Sequence, residues 1–284
     1  MKISRIIDVQ KPGLAIELLV EQCPELSKGR LKDAMNKGAV LWRQGKQHKR
    51  LRRSQTPVQA GARLELHYDD DLLSRPALAA ELIADERDYS IWFKPAGMLS
   101  QGNEWGDHLA LLRYVEQQVA PKRTVFLVHR LDREASGLVI IAHTKAAAAH
   151  FSQLIQQHKI RKTYQIMVKG LLSTAWQQAG VITTPLDGKA SETRFTLKDQ
   201  QSEPARSLLE VQLISGRKHQ IRRHFAEIGH PVMGDPQYGQ GNRNDSGLAL
   251  EAIELGFDWP KAGPRHYRLP LALQRLGPFQ IELE

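Results

Sequence analysis

The stretch HRLDREASG, residues 129–137, lies between two apolar runs, VFLV at 125–128 and LVIIA at 138–142, and sets the carboxylate of Asp132 beside two arginines and an imidazole. Two such runs predict buried strands, which puts Asp132 on a loop at the edge of a core. Partial burial there is costly without a cation, so Asp132 needs one close by. Neighbours in an extended segment point to alternate sides, so Arg130 shares a side with Asp132 and Arg133 does not. A second source of positive charge is GRKHQIRRHFAEIGHPVMGD, residues 216–235. A turn there opens a predicted helix with Ile221, Phe225 and Ile228 as its apolar stripe. Arg222 flanks that stripe and faces inward, whereas Arg223 lies outside, spaced to pair with Glu227 one turn on.

The chain has 284 residues, 41% of them hydrophobic and 6% aromatic, which suits one large domain and one small one rather than three. No apolar run approaches the length that spans a bilayer, so no membrane partner is expected. The opening MKISRIIDVQKPG has basic residues but no apolar segment of signal-peptide length, and Cys23 is the single cysteine, so the expected location is the reducing cytoplasm. The formal charge of +9 is concentrated: residues 1–68 carry fourteen Lys and Arg against six Asp and Glu, leaving the rest almost neutral. The first segment thus predicts a polyanion-binding arm, with salt-sensitive and sequence-independent affinity.

From Gly13 the pattern predicts two helices, the second capped by Ser27, carrying Lys28, Arg30, Lys32 and Lys37, and stopped by Gly38. AVLWRQGKQHKRLRR then predicts a strand, a Gln-Gly turn and a basic return bearing Lys49, Arg50, Arg52 and Arg53, and RLELHYD a closing strand. Residues 69–86 are expected to be a linker, with LAAELIADERD as a short helix, and 87–284 a larger domain of mixed α and β. Its predicted strands are SIWFK, TVFLV, GLVIIAH, KTYQIMVKG and ARSLLEVQLIS, alternating with helices at LALLRYVEQQV and KAAAAHFSQLIQQH. The sequence holds no GxxxxGK[ST], GxGxxG, HExxH or paired cysteines, and its histidines have no ligand spacing, so neither cofactor nor metal is expected.

Three motifs together resemble pseudouridine synthases of the RluA family: FKPAGMLS at 93–100, HRLDREASG, and the arginine motif at 216–235. A fourth, KTYQIMVKG, lies between the last two and carries Tyr164 where that family has a tyrosine. The segment from about Gly13 to Tyr68 is similar to the S-four-like RNA-binding domain. Two positions depart from the family pattern: Ala135 stands where threonine is usual, and Glu251 where many members have histidine.

The resemblance implies an α+β fold: a pseudouridine synthase catalytic domain with a mixed, mainly antiparallel sheet and a central cleft, preceded by a small S4-like α/β domain at 1–68. It implies isomerisation of uridine without cofactor. Asp132 would be the essential carboxylate, attacking the substrate or removing a ribose proton. Arg222 would keep it ionised and Tyr164 would stack on the displaced uracil. Arg130 would fill the place of the flipped base, His129 and Lys94 would support loops, and Arg217 and His219 would contact RNA or brace their own loop. RNA is then the partner, ribosomal in preference to transfer RNA, and nothing demands more than a monomer. Competing readings are a non-catalytic RNA-binding or ribosome-assembly factor and a nucleoside glycosidase; the latter calls for two catalytic carboxylates where this pattern offers a carboxylate and an arginine.

Overall fold

The computed structural model describes residues 1–239, 242, 246–260 and 262–279, and the chain divides into two compact units. The first comprises Met1–Ala79 and Leu99–Ala120, the second Ala80–Met98 and Pro121–Glu284.

The first unit is built on a four-stranded antiparallel sheet in the order Lys2–Asp8, Arg63–Asp69, Val40–Gln44, Gln47–Arg50. RLELHYD alternates as a half-buried strand should, with Leu64, Leu66 and Tyr68 inside. Helices Ala15–Gln22 and Lys28–Asn36 bury Ile16, Leu19, Leu31 and Met35 in the same core. Ser27 caps the second by accepting a hydrogen bond from Arg30 N at 3.3 Å. Gly38 follows it at φ +79°, where a Cβ would press on the side chains of Asp107 and Arg52, so glycine is required on both conformational and steric grounds. Leu99–Ala120 adds the helix Leu111–Gln118, which buries Leu111 and Val115.

The predicted linker is folded structure. Asp70–Ser74 is a helix capped by Asp69, which accepts from Leu72 N at 3.1 Å, and Glu81–Asp85 is an edge strand of the second unit. LAAELIADERD therefore does not form the expected helix. A helix that short has little stability of its own, whereas pairing with Tyr89–Lys94 satisfies its backbone along a ready-made ladder.

The second unit is one ten-stranded sheet, mainly antiparallel. Its middle runs Ala205–Leu213, Arg161–Lys169, Leu250–Trp259, Ser136–Ala142, Tyr89–Lys94. Strands Thr193–Ser202 and Leu250–Trp259 lie outside those the sequence predicts, as does Lys2–Asp8 in the first unit. Ser136–Ala142 is buried along its whole length and pairs parallel with the Leu250–Trp259 strand at Ser136 and Gly137. Gly137 sits at φ +118° against the Ala252 backbone, leaving no room for a Cβ, so the last residue of HRLDREASG lets two strands approach. Helix Lys145–Gln156 buries Phe151 against Tyr89 and Phe257, and helix Gln220–Glu227 packs Phe225 on Phe195 with ring centroids 5.3 Å apart.

Candidate active site

The loop that enters the Ser136–Ala142 strand is held from inside. His129 is buried and its Nε2 accepts from Ile140 N at 3.2 Å, so the ring proton sits on Nδ1. Burial, with the nearby Lys162 charge, pushes its pKa well below the usual histidine range, which keeps the ring neutral. Lys94, also buried, donates to the carbonyls of Pro95, Met98 and Ala135 at 3.0, 2.9 and 2.6 Å. It thereby ties the FKPAGM turn to the catalytic-motif loop. Burial pulls its pKa down to about 7. Ala135 has no hydroxyl to offer, yet its carbonyl takes the shortest Lys94 bond and its N–H donates to Asp132 O at 3.2 Å. The buried Glu251 accepts from Ser136 Oγ at 3.1 Å and from Arg275 N, so this departure from the family pattern anchors the end of the same loop.

Asp132 emerges from that loop with 28% of its side chain exposed and meets Arg222, which is 2% exposed, across 2.9 Å from Oδ2 to NH1. The two come from positions 90 residues apart. The rest of the guanidinium is clamped by Asp235: Nε and NH2 donate to its two carboxylate oxygens at 2.7 and 2.8 Å. Asp235 is fully buried, and its Oδ1 also accepts from Gln237 N and Tyr238 N. Burial would raise its pKa, but these hydrogen bonds hold it low, so it stays ionised. Burial likewise works against the Arg222 cation, and the bonds to Asp235 and Asp132 more than offset it, raising its pKa. One cation thus serves two anions, with the ring of Tyr238 stacked 5.1 Å from the guanidinium carbon.

The turn before the helix is fixed by Gln220, buried and absent from the sequence-predicted set. Its Oε1 accepts from Arg217 N and Ser215 Oγ, and its Nε2 donates to Glu192 O and Thr193 Oγ1. His219, just before the helix, is in the left-handed region at φ +53°, and its Nε2 lies 3.7 Å from Asp132 Oδ1 while Nδ1 meets Tyr238 Oη at 3.0 Å. Burial lowers its pKa, against the pull of Asp132. Arg217 is exposed and donates to Ala190 O at 3.2 and 3.3 Å. Arg223 does not pair with Glu227; it makes a two-point bridge to Asp187 at 2.9 and 3.0 Å, a forked geometry that a one-turn helical spacing cannot match.

Asp132, Tyr164, Arg222, Arg130, Arg217 and His219 all line one cavity of about 80 Å³. Tyr164, on the Arg161–Lys169 strand, is buried, and burial with the Asp132 charge raises its phenol pKa, so it remains protonated at neutral pH. Arg130 is exposed at the rim. Sequence reasoning missed Asp235 and Tyr238. The available signal for Asp235 was stoichiometric: a buried guanidinium has five N–H donors, more than one partly exposed carboxylate can satisfy.

In the first unit Lys28, Lys32 and Arg53 are exposed, Arg30 lies 3.9 Å from Asp70, and Lys49 stands 4.6 Å over the Trp42 ring. Arg50 and Arg52 are turned inward instead: both pair with Asp107, and they donate to Gly38 O, Asn103 O and Asn36 O. Their guanidinium groups brace the fold, which removes them from the predicted basic face. Among the described residues no cluster of His, Cys, Asp and Glu could hold a metal ion, and no helix is long and apolar enough to cross a membrane.

The profile of the RNA pseudouridylate synthase family matches residues 88–227. An uncharacterized RNA pseudouridine synthase of Chloroflexus aurantiacus is 31% identical over 270 residues, 84% of this chain and 80% of the relative. Ribosomal large subunit pseudouridine synthase D of Xylella fastidiosa is 28% identical over 258 residues, 84% and 76% of the two chains. tRNA pseudouridine synthase C of Pectobacterium carotovorum is 30% identical over 215 residues, 64% and 54%. Human RNA pseudouridylate synthase domain containing 1 shares the fold at a TM-score of 0.55 and 20% identity, over 69% of this chain and 86% of that one. With a relative of that identity matched over most of both chains, and with the carboxylate, arginine and tyrosine of the motifs gathered around one cavity, this chain belongs to the RNA pseudouridine synthase family.

Proposed function

We propose that this protein isomerises a specific uridine of large-subunit ribosomal RNA to pseudouridine, with Asp132 as the reactive carboxylate. The observation that carries the reading is the 2.9 Å pair between Asp132 and Arg222 in the wall of a cavity that also holds Tyr164. Arg222 holds Asp132 in place, and because Asp235 already takes two of the guanidinium's N–H donors, the net charge of the three groups stays negative. Asp132 therefore remains a competent nucleophile or base instead of being quenched by a private cation. Either role begins cleavage of the glycosidic bond; the freed uracil turns and rejoins through a ring carbon, so every atom of the substrate is kept. Tyr164 offers a flat face to the uracil and, with its proton retained, a hydrogen-bond donor.

A stacked uridine reaches the cavity only by flipping, at a cost of a few kcal/mol. Arg130, exposed beside Asp132, takes the vacated place with its planar guanidinium, and Arg217 and His219 line the entrance. The first unit, with a helix pair on a small antiparallel sheet, acts as an S4-like RNA-binding domain through Lys28, Arg30, Lys32, Lys49 and Arg53. The protein works as a cytoplasmic monomer without cofactor. The ribosomal substrate is favoured by coverage: the match to the ribosomal synthase extends over 76% of that relative, and that to the transfer-RNA synthase over 54%.

Purified protein incubated with unmodified large-subunit RNA, without metal or nucleotide, is expected to form pseudouridine at one position, and Asp132→Asn to lower the rate by about 10⁴-fold. Product in transfer RNA alone would overturn the substrate assignment. Full activity in Asp132→Asn would overturn the mechanism.

A further inference from the structure

A second cavity, of about 280 Å³, opens next to the first. It is formed by the end of helix Lys145–Gln156, the start of strand Arg161–Lys169 and the turn after Ala205–Leu213, and it shares Leu213 and Arg217 with the Asp132 cavity. Its charged and titratable lining is Lys162, Arg217 and His158, with no carboxylate. The half-buried Lys162 has neither an ion pair nor a hydrogen bond among the described residues, whereas the buried Lys94 is held by carbonyls. Arg217, an exposed residue, uses Nε and Nη2 on Ala190 O.

We infer that this cavity binds a backbone phosphate of the RNA strand adjoining the flipped uridine, with Lys162 and Arg217 as its ligands. The inference rests on the RNA-uridine reading above. A cation set into a wall without a counter-ion is a standing cost, which an anion supplied by the substrate removes. Burial pulls the Lys162 pKa down to about 8, in the same direction. No Phe, Tyr or Trp lines the cavity; its one ring is the imidazole of His158, beside the two cations Lys162 and Arg217. The shared wall fixes the register: a strand whose uridine enters the Asp132 cavity runs past Leu213 and Arg217 within reach of Lys162. Lys162 would thus position the strand and Asp132 would do the chemistry.

Two measurements on the full chain test this. Lysines are labelled by reductive methylation near pH 7.5 with and without saturating unmodified large-subunit RNA, and Lys162 is read by mass spectrometry. It is expected to be labelled in free protein and protected by RNA. Lys162→Gln is expected to raise KM for RNA about tenfold with a much smaller change in kcat, and to make the dependence of log affinity on log salt shallower by about one, the signature of one lost phosphate contact. Lys162→Arg should restore the salt slope. Equal labelling with and without RNA, or a salt slope unchanged in Lys162→Gln, overturns the inference. Pseudouridine formed without protection of Lys162 sinks this site and leaves the function standing; protection without pseudouridine does the reverse.

Discussion

Two charge clusters in this molecule have opposite stoichiometry. In the first unit Asp107 is shared by Arg50 and Arg52, two cations on one anion, with side chains 14%, 22% and 24% exposed. In the second, Arg222 is shared by Asp132 and Asp235, two anions on one cation, and the cation and one anion are almost fully buried. The difference is where the surplus charge goes. Around Asp107 the surplus is positive and the guanidinium groups also serve carbonyls of the fold, so the cluster is a brace. Around Arg222 the surplus is negative, and Asp132, the carboxylate that meets solvent, lines the cavity where a reactant would enter. The same pair of residue types makes a staple in one place and a reactive group in the other because of which member is duplicated and which is left at the surface.

Substitutions in three places put this contrast to the test. Removing the shared cation should have the largest effect: Arg222→Met leaves the buried Asp235 carboxylate without its cation and is expected to cost about 3 to 5 kcal/mol of stability by urea unfolding, together with the activity. The double variant Arg222→Met, Asp235→Leu replaces the buried clamp with apolar groups and should recover most of the stability without the activity. If activity returned as well, Arg222 would not be what keeps Asp132 reactive. A middle-sized effect belongs to Lys94, a buried cation with carbonyls but no carboxylate. In the unfolded chain its amine holds a proton that the folded one, with a pKa near 7, gives up. Stability should therefore rise with pH above about 7, by at most about 1.4 kcal/mol per unit, relative to Lys94→Met. A difference between the two proteins that is flat from pH 6 to pH 9 would refute it. The smallest effect is that of Asp107→Asn, expected to cost about 1 kcal/mol and to leave the rate of uridine isomerisation unaltered. A loss of rate comparable to that of Asp132→Asn would mean that the brace and the reactive cluster are not separate devices.

Local chemistry made much of this legible in the sequence. Ser27 is a cap because its hydroxyl precedes a helix, RLELHYD is a strand because its apolar residues alternate, and Asp132 draws attention because a carboxylate between apolar strands needs a cation. Arg222 was legible as that cation from its place beside the Ile221 and Phe225 stripe. What escaped depends on distant partners. Residues 81–85 form a strand because a neighbouring strand offers a ladder, and Arg50 and Arg52 turn inward because Asp107, in a segment more than fifty residues away, receives them. Asp235 sits thirteen residues after Arg222, beyond a turn whose path no local pattern fixes.

The reactive residue types, their order and the charge imbalance between the two units can be read along the chain, because helical and strand periodicity and charge are properties of neighbouring residues. Packing set which carboxylate is left partly exposed, which arginines are spent on the fold, and that Lys162 has no ion pair among the described residues beside the Asp132 cavity. Those outcomes turn on distances and burial, and these exist only once segments tens of residues apart have packed together.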